Sequence, residues 1–151
     1  MFKRKILSVC VASWIILTGT VFAAEPDSQC YKCENLLTWD RENVAGGKGT
    51  LFGQFSFNRN QATQEQAIKE IGWMTLQSGS SIGLHKHGAN EDAYIIISGE
   101  GIFTDGEGKE TLVKAGDITI ARAGQAHALR NNGTEPLRFL DVVAQNDGAK
   151  K

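Results

Sequence analysis

The sequence predicts an all-β protein of one domain, a sandwich or a barrel. Short apolar runs recur from residue 79 onward and are separated by turn residues, and strands spaced in this way are typical of sandwiches and barrels. No sustained helical period and no internal repeat is found among them. The predicted strands cover residues 82–85, 93–98, 101–104, 111–114, 117–121, 126–130 and 137–144.

The first 23 residues have the order of a secretory signal peptide. A basic start, MFKRK, precedes an uncharged apolar stretch of 17 residues, and small-residue spacing for cleavage follows at Ala23. An uncleaved membrane anchor is the alternative, because the apolar stretch lies at the short limit of a spanning helix. We expect a signal peptide at residues 1–23, export to a periplasm or out of the cell, and no membrane attachment after cleavage.

Charge excludes nucleic acid as a partner of the mature chain, residues 24–151. Removal of Lys3, Arg4 and Lys5 lowers the count of basic residues from 16 to 13, against 17 acidic residues, so the net charge becomes −4. No basic stripe is left to neutralise phosphates. The remaining 128 residues are enough for one domain.

An N-terminal arm with an added strand is predicted for residues 24–65. The arm is irregular to about residue 49 and contains CYKC, where Cys30 and Cys33 predict a local disulfide in an oxidising compartment, with a redox role as the alternative. TLFGQFSF, residues 50–57, alternates between apolar and polar residues and predicts the added strand. The polar NRNQATQEQ that follows predicts an exposed loop.

The β-barrel is predicted for residues 66–145, and residues 146–151 are expected to form a disordered tail. AIKEIGWMTL, residues 67–76, is rich in β-branched and aromatic residues and predicts a strand. Asp105-Gly106 and Asn132-Gly133 predict hairpins, because a type I′ turn requires positive φ at both central residues and these dipeptides adopt it.

Two of the three histidines lie two residues apart in HKHGANED. Side chains two apart on a strand share a face, so His85 and His87 can bind one ion. Asp92 follows a short turn, and a barrel brings His127 from an opposing strand. Three neutral imidazoles and a carboxylate suit Mn, Fe, Ni, Cu or Zn, so one divalent transition metal is the predicted cofactor. A histidine pair at this spacing also occurs in proteins without a metal.

The surroundings of these residues resemble the two motifs of the cupin superfamily. The first, G(X)5HXH(X)3–4E(X)6G, is matched by Gly79, His85, His87, Asp92 and Gly99. The second, G(X)5PXG(X)2H(X)3N, is matched by Gly116, Gly124, His127 and Asn131. The resemblance implies a double-stranded β-helix, a jelly-roll-like barrel, with the metal held inside by His85, His87, Asp92 and His127. It also implies a homodimer, because cupins are often dimers.

Two positions depart from the cupin motifs. Asp92 stands where the family has glutamate, one methylene longer, and Glu91 is the alternative ligand. The spacing to Gly99 and the strand face favour Asp92. Arg122 stands where the family has proline, and it is either an exposed turn residue or an anion-binding residue at the mouth of the pocket.

The resemblance implies a metal-dependent enzyme that acts on a small polar or carboxylate-bearing molecule, of the dioxygenase, decarboxylase or isomerase type. A non-catalytic module that binds or senses a metal or a small molecule is the alternative, because fold does not determine function. Few acid–base side chains surround the histidines, and Tyr94 is the candidate catalytic residue, as a proton donor or a hydrogen-bond donor to substrate. Core packing is the alternative role of Tyr94.

Alternation along the strand after Asp92 predicts two apolar faces. Tyr94, Ile96 and Ser98 are expected to point into the barrel. Residues 93, 95 and 97, which are Ala, Ile and Ile, then point outward. We therefore expect the outer face of this strand to be covered, either by the N-terminal arm or by a second subunit.

Overall fold

The computed structural model describes residues 26–145. The predicted signal peptide, residues 1–23, and the predicted tail, residues 146–151, lie outside the described residues. No helix among the described residues is long and apolar enough to cross a membrane.

The described chain is almost entirely β-structure, which confirms the predicted fold class. Three single 3₁₀ turns accompany the strands, at Cys33–Asn35, Val44–Gly46 and Arg59–Gln61. The strands are β1 (Leu37–Thr38), β2 (Arg41–Glu42), β3 (Thr50–Phe55), β4 (Ile68–Leu76), β5 (Ser81–Lys86), β6 (Asn90–Ser98), β7 (Glu100–Asp105), β8 (Glu110–Lys114), β9 (Ile118–Ala121), β10 (Ala126–Arg130) and β11 (Leu137–Gln145).

The strands form two antiparallel sheets that pack face to face. One sheet has seven strands in the order β1-β3-β4-β11-β6-β9, with β2 also pairing with β3, and the other has four in the order β5-β10-β7-β8. Both sheets contribute apolar side chains to one core, and each large aliphatic side chain fully buried there stabilises the fold by about 1.5–3 kcal/mol. The buried cluster comprises Leu51, Phe55, Met74, Leu76, Tyr94, Ile96, Leu137 and Phe139 from the first sheet and Ile82, Val113 and Leu129 from the second.

The hairpin predicted at Asp105-Gly106 forms between β7 and β8, but its turn type is wrong. Residues 106–109 make a longer loop, in which the Asp105 carboxylate accepts hydrogen bonds from the N–H groups of Glu107 at 3.0 Å and Lys109 at 2.9 Å. The positive φ, 85°, is at Gly108 and not at Gly106. The aspartate side chain therefore organises the turn in place of a type I′ backbone.

The hairpin predicted at Asn132-Gly133 is wrong. The strands on either side, β10 and β11, belong to different sheets, so the segment is a crossover. The buried amide of Asn131 determines its path, because it donates to the carbonyls of Leu76 at 2.8 Å and Glu135 at 2.9 Å and accepts from the N–H of Gly133 at 2.9 Å.

The prediction that Ser98 points into the barrel is also wrong. Tyr94 and Ile96 are buried as expected, but Ser98 is exposed. The pairing of β6 with β11 shifts register between Ile96 and Ser98, where β11 advances by one residue and β6 by two. This bulge interrupts the alternation of the strand.

The N-terminal arm extends the seven-stranded sheet, so it does not cover the outer face of β6. β1 and β2 pair with β3, at the opposite end of the strand order from β6 and β9. The alternative that a second subunit covers this face stays a prediction, as does the division of the chain at residue 65. The disulfide expected between Cys30 and Cys33 is not formed; both thiols are free and exposed, with Cys33 opening a 3₁₀ turn and Cys30 in the irregular segment before it.

Candidate metal centre

The three histidines come together because β5 and β10 are neighbours. His85 on β5 is the register partner of His127 on β10, and β6, from the opposite sheet, carries Asp92. His87 lies just beyond β5. Its N–H donates to the carbonyl of Gln125 at 2.9 Å, and its carbonyl accepts from the N–H of Gly124 at 2.7 Å. The loop before β10 thus holds His87 over the interior, and the group lies between the two sheets.

The ligand atoms of these four residues converge on one point. The Nε2 atom of His127 lies 3.0 Å from Nε2 of His87 and 3.2 Å from Nε2 of His85. The Oδ2 atom of Asp92 lies 3.3 Å from Nε2 of both His87 and His127. All four potential ligand atoms are within 4.8 Å of one another.

These separations fit a single transition-metal ion. Nitrogen and oxygen ligands lie about 2.1 Å from such a metal, so two ligands at right angles are about 3.0 Å apart and two at the tetrahedral angle about 3.4 Å. The four separations given above, from 3.0 to 3.3 Å, fall in this interval. One Asp92 oxygen, Oδ1, is also buried without a hydrogen-bond partner among the described residues. The group therefore fits a divalent metal site.

The hydrogen bond of His85 prepares its other ring nitrogen for a metal. Nδ1 lies 2.9 Å from the carbonyl oxygen of Gly83. A carbonyl can only accept, so Nδ1 carries the proton and Nε2 presents its lone pair to the centre. Burial lowers the pKa of His85 and is only partly opposed by this hydrogen bond. The ring is thus held neutral, which is the form that binds metals.

The carboxyl groups of Asp92 and Asp141 lie in the same buried environment, but their pKa values shift in opposite directions. Burial raises the pKa of Asp92, but hydrogen bonds from His127, His87 and Asp141 outweigh it and hold that pKa well below the usual value. Burial raises the pKa of Asp141 well above its usual value, and the adjacent Asp92 charge raises it further. Asp92 is the anion of the pair and Asp141 holds the proton, as expected when two carboxyl groups meet in one buried site.

The structure distinguishes the two carboxylates that the sequence left open. Asp92 is 4% exposed and faces the histidines, whereas Glu91 accepts from Arg122 at 2.5 Å on the surface. Of the two, only Asp92 belongs to the convergent group. Arg122 is exposed and paired with Glu91, so its charge is already neutralised.

Tyr94 lies inside the barrel against the histidines. Its ring stacks on that of His127, with centroids 4.8 Å apart and planes 22° from parallel, and it also packs on Phe139. Burial raises the pKa of Tyr94 well above its ordinary value, and the negative charge of Asp92 raises it further. The phenol therefore stays protonated and can donate a hydrogen bond. Its predicted catalytic role stays a prediction.

A cavity of about 230 Å³ opens beside this group and is lined by three of its members, His85, His87 and Asp92. Its lining also includes charged side chains that the sequence did not single out: Arg41, Arg59, Glu70 and Asp141. The sequence does carry a signal for the two acidic residues. Glu70 lies on the same face of β4 as the apolar Met74 and Leu76. Asp141 lies on the same face of β11 as the apolar Leu137 and Phe139. A charged residue on such a face marks an interior polar site. The arginines lie on the arm and its loop and had no such signal.

The chain belongs to the cupin superfamily. The family model of the cupin domain matches residues 72–143. An oxalate-binding protein from Thermotoga maritima is 36% identical over 101 residues, which are 67% of this chain and 81% of that protein. Together with the two packed sheets, this confirms the predicted double-stranded β-helix.

Two further comparisons agree with this assignment. The crystal structure of a predicted oxalate decarboxylase from Thermotoga maritima is 31% identical, with a TM-score of 0.67, over 78% of this chain and 99% of that one. A gentisate 1,2-dioxygenase from a Ralstonia species is 30% identical over 80 residues, 53% of this chain and 22% of the dioxygenase. The similarity to the dioxygenase is thus limited to a small part of that protein.

Proposed function

We propose that this cupin is a metal-dependent enzyme that acts on a small carboxylate-bearing molecule. The observation that carries the proposal is the convergence of three imidazole nitrogens and one carboxylate oxygen beside a cavity of about 230 Å³. A cavity of this size suits a molecule of a few carbon atoms. The names of the relatives, an oxalate-binding protein and a predicted oxalate decarboxylase, support a carboxylate as the ligand class.

The chain's own residues have separate tasks in this proposal. His85, His87, Asp92 and His127 would hold the metal, which supplies Lewis-acid polarisation of a bound oxygen when it is present. The raised pKa of Asp141 keeps that carboxyl protonated, so it adds no second negative charge beside Asp92. Tyr94 fixes the His127 ring by stacking and keeps its phenolic proton for a hydrogen bond to substrate. Phe139 and Met74 line the cavity and exclude water.

Elemental analysis tests the metal site. Protein purified without chelator and reloaded with Mn, Fe, Ni, Cu or Zn is expected to hold about one ion per chain, as a single four-ligand site requires. The double variant His85→Ala/His87→Ala is expected to hold none. Arg138→Gln, an exposed position on β11, is the matched control and keeps the metal. Metal-free protein after reloading, or equal metal in the double variant, contradicts the proposal.

A non-catalytic binding module is the second candidate, and one feature of the cavity favours it. The cavity's other acid–base groups are occupied: Glu70 binds Arg59, and the raised pKa values of Asp141 and Tyr94 keep both protonated. Assays of the metal-loaded protein on oxalate and related carboxylates separate the two candidates. Turnover that His127→Ala abolishes supports the enzyme, whereas binding without turnover supports the module.

We also propose that the chain is exported and forms a homodimer. Export rests on the sequence of residues 1–23, and the dimer on the apolar outer positions of β6 and β9, where Ile97, Ile118 and Ile120 are exposed. N-terminal sequencing of the protein from fractionated cells should start at residue 24. Light scattering should give twice the chain mass, and Ile118→Lys should return it to that of one chain.

A further inference from the structure

Arg41, on the N-terminal arm, reaches the cavity beside the predicted metal. Pairing of β2 with β3 places Arg41 opposite Leu51, a core residue. The guanidinium lies 5.1 Å from the ring centroid of Trp39 and 5.2 Å from that of Phe55, within the range of cation–π attraction. These two rings hold the side chain in one direction.

The charge of Arg41 is not compensated as that of Arg59 is. Arg59 forms a two-pronged ion pair with Glu70, through Nε at 2.6 Å and an Nη atom at 2.5 Å. Arg41 approaches the same carboxylate only at 3.6 Å, beyond hydrogen-bond length. The buried Glu70 carboxylate thus makes both of its close contacts, one to each oxygen, with Arg59.

The Nε atom of Arg41 is buried and has no hydrogen-bond partner among the described residues. Leaving a buried donor unpaired is unfavourable, and such atoms in native proteins mark the place of a water, an ion or a ligand. Of the carboxylates near the cavity, Asp92 belongs to the metal group. Arg41 therefore lines the same cavity as His85, His87 and Asp92, with a buried Nε donor that no acceptor among the described residues meets.

We propose that Arg41 is the second anchor for the ligand of the cavity and that it selects small dicarboxylates over monocarboxylates. One carboxylate binds at the metal and the other accepts hydrogen bonds from the Arg41 guanidinium, which matches a carboxylate in shape. This inference rests on the proposed function and adds the substrate class. The choice of ligand is thereby assigned to the N-terminal arm. The arm lies outside residues 72–143, the range that the family model matches.

Calorimetric titration of the metal-loaded full chain tests the inference, with oxalate, malonate and acetate as probes. Wild-type protein is expected to bind the dicarboxylates more tightly than acetate. Arg41→Gln is expected to lose about tenfold or more of the dicarboxylate affinity, as removal of a charge-assisted pair does, and to leave acetate unchanged. Arg41→Lys keeps the charge without the planar fork and should lose less.

Metal content and thermal unfolding are measured on each variant, with Arg130→Gln as the control, because Arg130 is exposed and paired with Glu110 outside the cavity. If Arg41→Gln does not fold, the lower dicarboxylate affinity of Arg41→Lys carries the test. Equal dicarboxylate affinity in wild type and in the folded Arg41 variants would overturn the inference and leave the proposed metal site standing. Loss of metal from Arg41→Gln would also overturn it. Wild-type protein that binds no metal would overturn both.

Discussion

The cavity has two unlike walls. The ligand wall belongs to the group His85, His87, Asp92 and His127. Three of these side chains are buried and His85 is half-buried, and their potential ligand atoms lie within 4.8 Å of one another. The arm wall consists of Arg41, Arg59 and Glu70. The two arginine side chains are 26% and 35% exposed, whereas the Glu70 carboxylate with which they pair is 2% exposed.

This difference separates two functions. The ligand wall would be preorganised for one small ion, because a hydrogen bond directs the ring of His85 and stacking on Tyr94 directs that of His127. The arm wall is open to solvent and can meet a larger and more variable partner. Reactivity would then belong to the barrel and ligand selection to the arm, so each wall can be disrupted without the other.

The largest expected effect comes from the ligand wall. Asp92→Asn removes the anionic oxygen and should weaken metal binding by more than about 100-fold, since even the outer partners of metal ligands contribute 10- to 100-fold. Competition with a coloured chelator measures the affinity. Glu91→Gln is the matched control, because Glu91 is adjacent in sequence but pairs with Arg122 outside the cavity. A large loss in Glu91→Gln and none in Asp92→Asn would transfer the ligand role to Glu91.

The next effect belongs to the arm wall and concerns stability. Arg59→Gln leaves Glu70 buried without its two-pronged partner. Breaking a buried pair costs about 3–5 kcal/mol, and the partial exposure of Arg59 places our expectation at the low end, about 3 kcal/mol. Urea unfolding measures the change. Arg130→Gln, which breaks an exposed pair with Glu110, should change stability little. Equal effects of the two variants would show that Glu70 is hydrated.

The sequence predicted the ligand wall better than the arm wall, and the reason is geometric. His85, His87 and Asp92 are close in the chain, so strand alternation and motif spacing suffice to bring them together. Arg41 reaches the cavity through the pairing of β2 with β3, and Arg59 reaches it through its ion pair with Glu70 on β4. Such pairing depends on tertiary contacts that no local pattern records.

The errors in the fold have similar causes. Ser98 left the predicted face because a bulge opposite Arg138 adds one residue to β6. The chain between β10 and β11 crosses between sheets because the Asn131 side chain bonds three backbone groups there. The alternation rule assumes an uninterrupted strand, and the bulge in β6 breaks that assumption. The Asn-Gly rule assumes that the two flanking strands pair with each other, whereas β10 and β11 belong to different sheets.

Asp141 lies behind the ligand wall and should give a smaller, pH-dependent effect in metal-free protein. Its pKa is raised in the folded chain by burial and by Asp92, so the folded state keeps a proton that the unfolded chain releases above pH about 4. Stability from this group is present below that pH and falls by up to about 1.4 kcal/mol per unit as pH rises towards the folded pKa.

Asp141→Asn removes this proton linkage while keeping the shape of the side chain. The variant should therefore be more stable than wild type at pH 7 and similar to it at pH 4. Urea unfolding of metal-free protein between pH 4 and 8 gives both curves. Asp92 has the opposite shift, so its contribution is lost only below pH about 4 and does not enter this window. Parallel curves for variant and wild type would show that Asp141 is ionised in the folded chain.

The smallest effect is expected for Arg122→Gln, and it decides which arginine meets the ligand. Arg122 is the alternative anion-binding residue, but its guanidinium is 59% exposed and already pairs with Glu91 at 2.5 Å, whereas Arg41 has a buried donor without a partner. An exposed pair of this kind contributes at most about 1 kcal/mol to stability. We expect unchanged metal content and unchanged affinity for oxalate and malonate, measured by the same titration as for Arg41→Gln. A tenfold loss in Arg122→Gln alone would move ligand selection from the arm to the loop before β10, because a surface arginine can lower the affinity only by contacting the anion or by steering it to the cavity.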